Sequence, residues 1–166
     1  QEDGDWWYCD NHRLLGLSAG TQTGMRFDEP EKMVRTTTFD KVRPGGYIPE
    51  EHIKDMDADG VDVSIVYPTV GLLLHSVSDS ALLTEMFRAY NDWLAEFCQA
   101  IPSRLKGIAM INVDDVPSGV AELERCAKMG LAAGMITVYP PEGRGYDQPE
   151  YERLWATAED LGTPLG

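Results

Sequence analysis

An α/β fold with parallel strands is predicted for this chain, on three observations. After Pro49, helix-like and strand-like segments alternate one by one. The strand-like segments are continuously apolar rather than alternating, as expected of strands covered on both faces. Breakers close the segments, among them Gly60, Pro68, Pro102, Gly130, Pro140 and Gly162. Three such strands and the start of a fourth make an open sheet or part of a closed barrel.

Residues 1–49 show no sustained period. Trp6, Trp7 and Tyr8 mix with Gly16, Gly20, Gly24, Pro30, Pro44, Gly45 and Gly46, and this stretch is expected to be an irregular, loop-rich insertion or small subdomain. Within it Asp28, Glu29 and Pro30 are placed to open a short helix through Val34. The α/β part is expected over residues 50–166.

Pro49 to Asp59 carries His52, Ile53 and Met56 on one face, with Gly60 as a left-handed cap. Val61, Val63, Ile65 and Val66 form a β-branched strand ending at Tyr67 and Pro68. From Ser80 to Ala100, Leu82, Leu83, Met86, Phe87, Tyr90, Trp93, Leu94, Phe97 and Cys98 recur at steps of three and four, a broad apolar stripe. Gly107 to Ile111 is the next strand. Pro117 to Met129 is a helix with Val120, Leu123 and Ala127 inward and Glu122, Glu124 and Arg125 outward. Gly134 to Val138 is a strand, and Pro149 to Leu161 is a helix with Tyr151, Leu154, Trp155, Ala158 and Leu161 on one side. A further strand is expected to begin at Pro164, Leu165 and Gly166, so the chain is read as a fragment.

Of 166 residues, 43% are hydrophobic and 25% charged, ordinary globular composition. A net charge of −14 repels nucleic acid and anionic membrane, and neither is expected as a partner. The most apolar stretch, Val61 to Val77, is interrupted by Asp62, Pro68, Gly71 and His75 and does not suit a membrane span. Cys9, Cys98 and Cys126 are odd in number and widely spaced, which points to a reducing cytoplasm.

The histidines are His12, His52 and His75, and none belongs to a metal-ligand spacing; Cys9, Asp10 and His12 lack a second pair of ligands. Asp55, Asp57, Asp59 and Gly60 match the first half of a calcium loop, but Asp62 and Val66 stand where an apolar residue and a bidentate Glu are required. The Gly-rich run Glu142 to Tyr146 does not open a helix after a strand and is a poor phosphate cradle. Asp114 and Asp115 are read as solvated carboxylates or as a cap for the helix that follows.

Several phrases together resemble one family. Met56-Asp57-Ala58-Asp59-Gly60-Val61-Asp62, Tyr90-Asn91-Asp92-Trp93 with Phe97, Pro102-x-Arg104-Leu105-x-Gly107, Ala121-Glu122-Leu123-Glu124-Arg125, and Tyr151 through Pro164 resemble the metal-dependent amidohydrolases of the aminocarboxymuconate-semialdehyde and γ-resorcylate decarboxylase type. The resemblance covers about residues 50–166 and implies part of a (β/α)8 TIM barrel, about strands 2 to 4 and the start of 5. It also implies a divalent metal, zinc or manganese, at the C-terminal face, and hydrolysis or nonoxidative decarboxylation of a carboxylated, often aromatic, small molecule. The family's metal-ligand positions fall on no residue of this chain, so the ion is expected only for the complete protein.

In such a barrel the residues after each strand face the substrate. Tyr67, Thr69 and His75 follow the first strand of this chain, Asn112 the second and Tyr139 the third. Tyr67, Asn112 and Tyr139 are the candidate hydrogen-bonding groups, and His75 the candidate acid/base group or carboxylate contact. An ordinary structural role for each of these loop residues is the competing reading, as is a non-catalytic acidic binding module for the chain. Uncovered strand edges further imply self-association as a homo-oligomer.

Overall fold

The computed structural model describes residues 4–17, 28–30 and 37–166. They form two compact units, Gln1–Gly60 and Val61–Gly166. No helix among the described residues is long and apolar enough to cross a membrane.

The first unit holds more order than the sequence pattern suggested. Strands β1 (Trp6–Cys9) and β2 (His12–Gly16) pair antiparallel. Asp10 and Asn11 make the turn between them with φ of 47° and 61°, the left-handed pair that matches the twist of a two-residue hairpin. Arg13 lies over the Trp6 ring, 4.1 Å from its centroid. The short helix expected from Asp28 runs into residues outside the described ones. Helix α1 (Pro49–Asp59) starts on its proline and ends at Gly60, whose φ of 70° is the left-handed cap. Asp55 of the calcium-like run is paired with Arg43 at 2.5 Å, and His52 Nδ1 lies 2.9 Å from the Gly45 carbonyl oxygen.

The second unit is a parallel sheet in the order β3 (Ser64–Val66), β4 (Leu105–Met110), β5 (Ala133–Met135). Leu165 bridges in parallel to Gly134, and Ile136 N–H donates to the Gly166 carbonyl at 3.0 Å, so residues 164–166 continue the sheet beside β5. Helices α2 (Ser80–Gln99), α3 (Val116–Lys128) and α4 (Glu152–Leu161) follow the strands in turn. The first turn of the last helix is a tighter 3-10 turn, Pro149–Tyr151.

Strand β4 is the centre of the sheet, and Ile108, Ala109 and Met110 are all buried, as its continuous apolar run requires. A Cβ on Gly107 would stand 2.7 Å from both Leu94 and Leu131, so the strand lies close under α2. Met110 packs with Leu83 and Phe87. Strand β3 departs from the expectation: it is shorter, and it is not covered on both faces, with Ile65 57% exposed at the free edge. Its shortness has a local cause, because the Arg104 guanidinium takes the carbonyls of Val61 and Asp62 at 2.7 and 2.9 Å.

Candidate functional site

The carboxyl ends of the three strands are shaped by polar side chains. After β4, Asn112 is almost wholly buried. Its Nδ2 donates to Ser80 O, Ser80 Oγ and Thr84 Oγ1 at 3.1, 2.9 and 2.9 Å, and its Oδ1 accepts from Asp114 N–H at 3.1 Å. Asn112 thereby ties the strand end to the start of α2, which Asp79 caps by accepting from Ala81 and Leu82 N–H at 3.0 Å each.

After β5, the Thr137 hydroxyl accepts from Tyr139 N–H at 3.1 Å, and the Thr137 carbonyl accepts from the Tyr146 hydroxyl. Tyr146 is edge-on to Tyr151 and Trp155, and burial, with the nearby Tyr151 and Asp114, pushes its hydroxyl up to about 12. The Gly-rich run at residues 142–146 is a brace. Arg144 binds Glu150 through two bonds of 2.9 Å and donates to the Asp114 carbonyl at 2.9 Å.

After β3 comes the 3-10 segment Val70–Ser76, which carries His75. Its imidazole is half-buried, 5.1 Å from Phe87 in an edge-on contact, and makes no hydrogen bond to a described residue. Burial lowers its pKa, partly opposed by the Asp114 carboxylate. Burial thus favours the neutral form of His75.

His75, Asn112, Asp114, Thr137 and Tyr139, with apolar neighbours, line one cleft of about 210 Å³. Tyr67 and Thr69 stand exposed beyond β3 and are not in its lining. Asp114 and Thr137 were missed by reasoning from the first residue after each strand. Asp114 lies two places beyond Asn112, and of the two carboxylates read as a cap for the following helix it is Asp115 that stands at the cap position. The Asp114 carboxylate makes no hydrogen bond or ion pair to a described residue. No Lys or Arg lines the cleft.

Among the described residues no three His, Cys, Asp or Glu side chains converge as a metal set.

A second polar cluster lies beneath the site, and it corrects the outward placement of Glu122. Glu122 is buried, 7% exposed. Its carboxylate accepts from Arg125 Nε and Nη2 at 2.8 and 2.7 Å and from Asn91 Nδ2 at 2.8 Å. Burial pushes the carboxyl pKa up, but the bonds from Arg125, Asn91 and Cys126 together hold it below the ordinary value. Arg125 also pairs with Asp92, and Asn91 clasps Met110, donating to its carbonyl at 3.0 Å and accepting its N–H at 2.8 Å. The neighbouring Ile111 N–H bonds Met135 on β5, so Met110 faces the opposite side, where β3 has already ended at Val66. Asn91 replaces the missing strand. The Tyr90-Asn91-Asp92 and Glu122-x-x-Arg125 phrases are therefore structural.

The amidohydrolase family pattern matches residues 8–166. The chain belongs to the amidohydrolase family. It is 28% identical over 124 residues to a γ-resorcylate decarboxylase of Polaromonas sp. JS666, covering 71% of this chain and 38% of that one. Among solved structures it resembles a 2,6-dihydroxybenzoate decarboxylase from Rhizobium, with TM-score 0.58, 29% identity, and 69% and 37% of the two chains covered. A dihydroxybenzoic acid decarboxylase from Polaromonas sp. JS666, with bound manganese and the inhibitor 2-nitroresorcinol, aligns with TM-score 0.58 and 27% identity over 71% and 37%. This amidohydrolase chain thus spans well under half the length of these relatives.

Proposed function

We propose that this chain forms strands two to four and the start of strand five of a (β/α)8 barrel, and that the complete protein carries out nonoxidative decarboxylation of a hydroxylated aromatic acid. The observation that carries the reading is the cleft at the carboxyl ends of three adjacent parallel strands, the position of ligand sites in barrels and open α/β sheets, in a chain of the amidohydrolase family. The named activities of its relatives support the chemistry, and the manganese of one supports a divalent ion for the complete protein. Decarboxylation breaks the bond between ring and carboxylate, releases carbon dioxide and places a proton on the ring carbon. His75, whose neutral form is favoured by burial, is a hydrogen-bonding contact in this scheme. Asn112 holds the wall in place, since its amide already binds Ser80 and Thr84.

The test is the full-length protein, supplemented with manganese, incubated with 2,6-dihydroxybenzoate and its positional isomers while ultraviolet absorbance and released carbon dioxide are followed. Turnover of at least one acid, lost on chelation and regained with metal, is expected, together with an intact mass above 18.4 kDa. Hydrolysis of amides or lactones with no carbon dioxide from any aromatic acid would overturn the proposal.

A further inference from the structure

The charge of the cleft bears on which end of a substrate it meets. Asp114 is the one full charge in its lining, and its carboxylate is without a hydrogen bond or ion pair among the described residues. The guanidinium of Arg144 donates to the Asp114 carbonyl and to both oxygens of Glu150, and its charge, felt by the Asp114 carboxylate as well, is already matched by Glu150. The remaining polar groups, His75, Asn112, Thr137 and Tyr139, are hydrogen-bonding side chains. A second carboxylate brought here meets the Asp114 anion, and among the described residues the nearby guanidinium, Arg144, is already bound to Glu150. A hydroxyl, by contrast, finds in Asp114 a charged acceptor, the stronger kind of hydrogen bond. The cleft holds about 210 Å³, more than the roughly 150 Å³ that accommodates benzene in an apolar cavity.

We propose that this cleft is a subsite for the hydroxyl-bearing edge of an aromatic ring, with the Asp114 carboxylate accepting a phenolic hydrogen and the substrate's own carboxylate directed away from it. The assignment rests on the aromatic-acid reading above and adds orientation and a specificity-determining residue. His75 and Tyr139 flank the ring edge as hydrogen-bonding partners.

The experiment separates the two proposals by measuring binding apart from turnover. Resorcinol, benzoate and 1,3-dimethoxybenzene are titrated calorimetrically into the full-length protein, its Asp114→Ala variant and its Asp114→Asn variant at pH 7. Resorcinol binding is expected to weaken about tenfold in Asp114→Ala, the usual effect of losing a hydrogen bond to a charged group. Dimethoxybenzene, which has no hydrogen to donate, is expected to be unaffected. Benzoate is expected to bind several-fold more tightly to Asp114→Asn than to the parent, because a repelling charge is removed. The variants keep the Asp114 backbone carbonyl that Arg144 holds, so folding is not at stake in the comparison. Resorcinol binding that ignores Asp114 overturns the subsite even if aromatic acids are decarboxylated. Dependence on Asp114 without decarboxylation leaves the subsite standing and removes the reaction.

Discussion

Asn91 offers the most direct test of how the second unit is held together. Replacing it with alanine removes three hydrogen bonds at once: Met110 N–H to Oδ1 at 2.8 Å, Nδ2 to the Met110 carbonyl at 3.0 Å and Nδ2 to Glu122 at 2.8 Å. Asn91 and Met110 are both fully buried, so water does not replace the lost partners. Each stranded backbone group costs about 1–3 kcal/mol. Glu122 keeps its two bonds from Arg125 and adds little to the loss. The total is about 3–5 kcal/mol, a large fraction of the roughly 5–15 kcal/mol by which domains are stable. Asn91→Leu, which keeps the volume, should cost nearly as much, because the deficit is polar. Asn91→Asp should be at least as damaging: it retains the acceptor but sets a second carboxylate against Glu122 and the Met110 carbonyl. Urea unfolding followed by tryptophan fluorescence reads the effect. At an m-value of about 2 kcal/mol/M, a 4 kcal/mol loss lowers the midpoint by about 2 M. A midpoint for Asn91→Ala close to the parent, at unchanged slope, would refute the view that Asn91 stands in for the absent strand.

Two further perturbations probe the walls of the cleft. Gly119 lies in the first turns of α3, where helix propensity alone favours alanine by about 1 kcal/mol. A Cβ there would stand 2.5 Å from the Asn112 carbonyl oxygen, so Gly119→Ala is expected to destabilise by about 1–3 kcal/mol and lower the thermal midpoint; a rise would contradict the packing. His75 has its folded pKa below the ordinary 6.5, so the unfolded chain binds the proton more readily. Its stabilising contribution is therefore complete above about pH 6.5 and is lost as pH falls through that value toward the folded pKa. Thermal scans from pH 7.5 to 5 should show a shallower decline in His75→Asn than in the parent, and parallel curves would count against the burial described.

Legibility followed the range of the interactions. The helix from Ser80 onward was readable because Leu83, Phe87, Leu94, Phe97 and Cys98 of its apolar stripe are the residues it buries, and Gly60 and Gly162 were readable as caps because φ values of 70° and 61° suit glycine. The β1–β2 hairpin escaped notice because its strands are four and five residues long, too short for a period to build up. Its signal was nevertheless present in Asp10-Asn11, two residues that tolerate the left-handed turn. Glu122 was misplaced for the opposite reason: a carboxylate on an amphipathic helix looks solvated until Arg125 and Asn91 are known to meet it.

The sequence by itself determined the alternation of strand and helix, the apolar faces, the helix ends and the family resemblance, because each depends on neighbours a few residues apart or on the order of short phrases. Only the tertiary structure decided which polar groups are buried and which face the cleft. Asn91 and Met110 are separated by 19 residues, and Asn112 and Ser80 by 32. His75, Asp114 and Tyr139 likewise come together from three strand ends. A side chain's protonation and binding chemistry depend on desolvation and on charges brought from elsewhere in the chain, and those exist only once the sheet has formed.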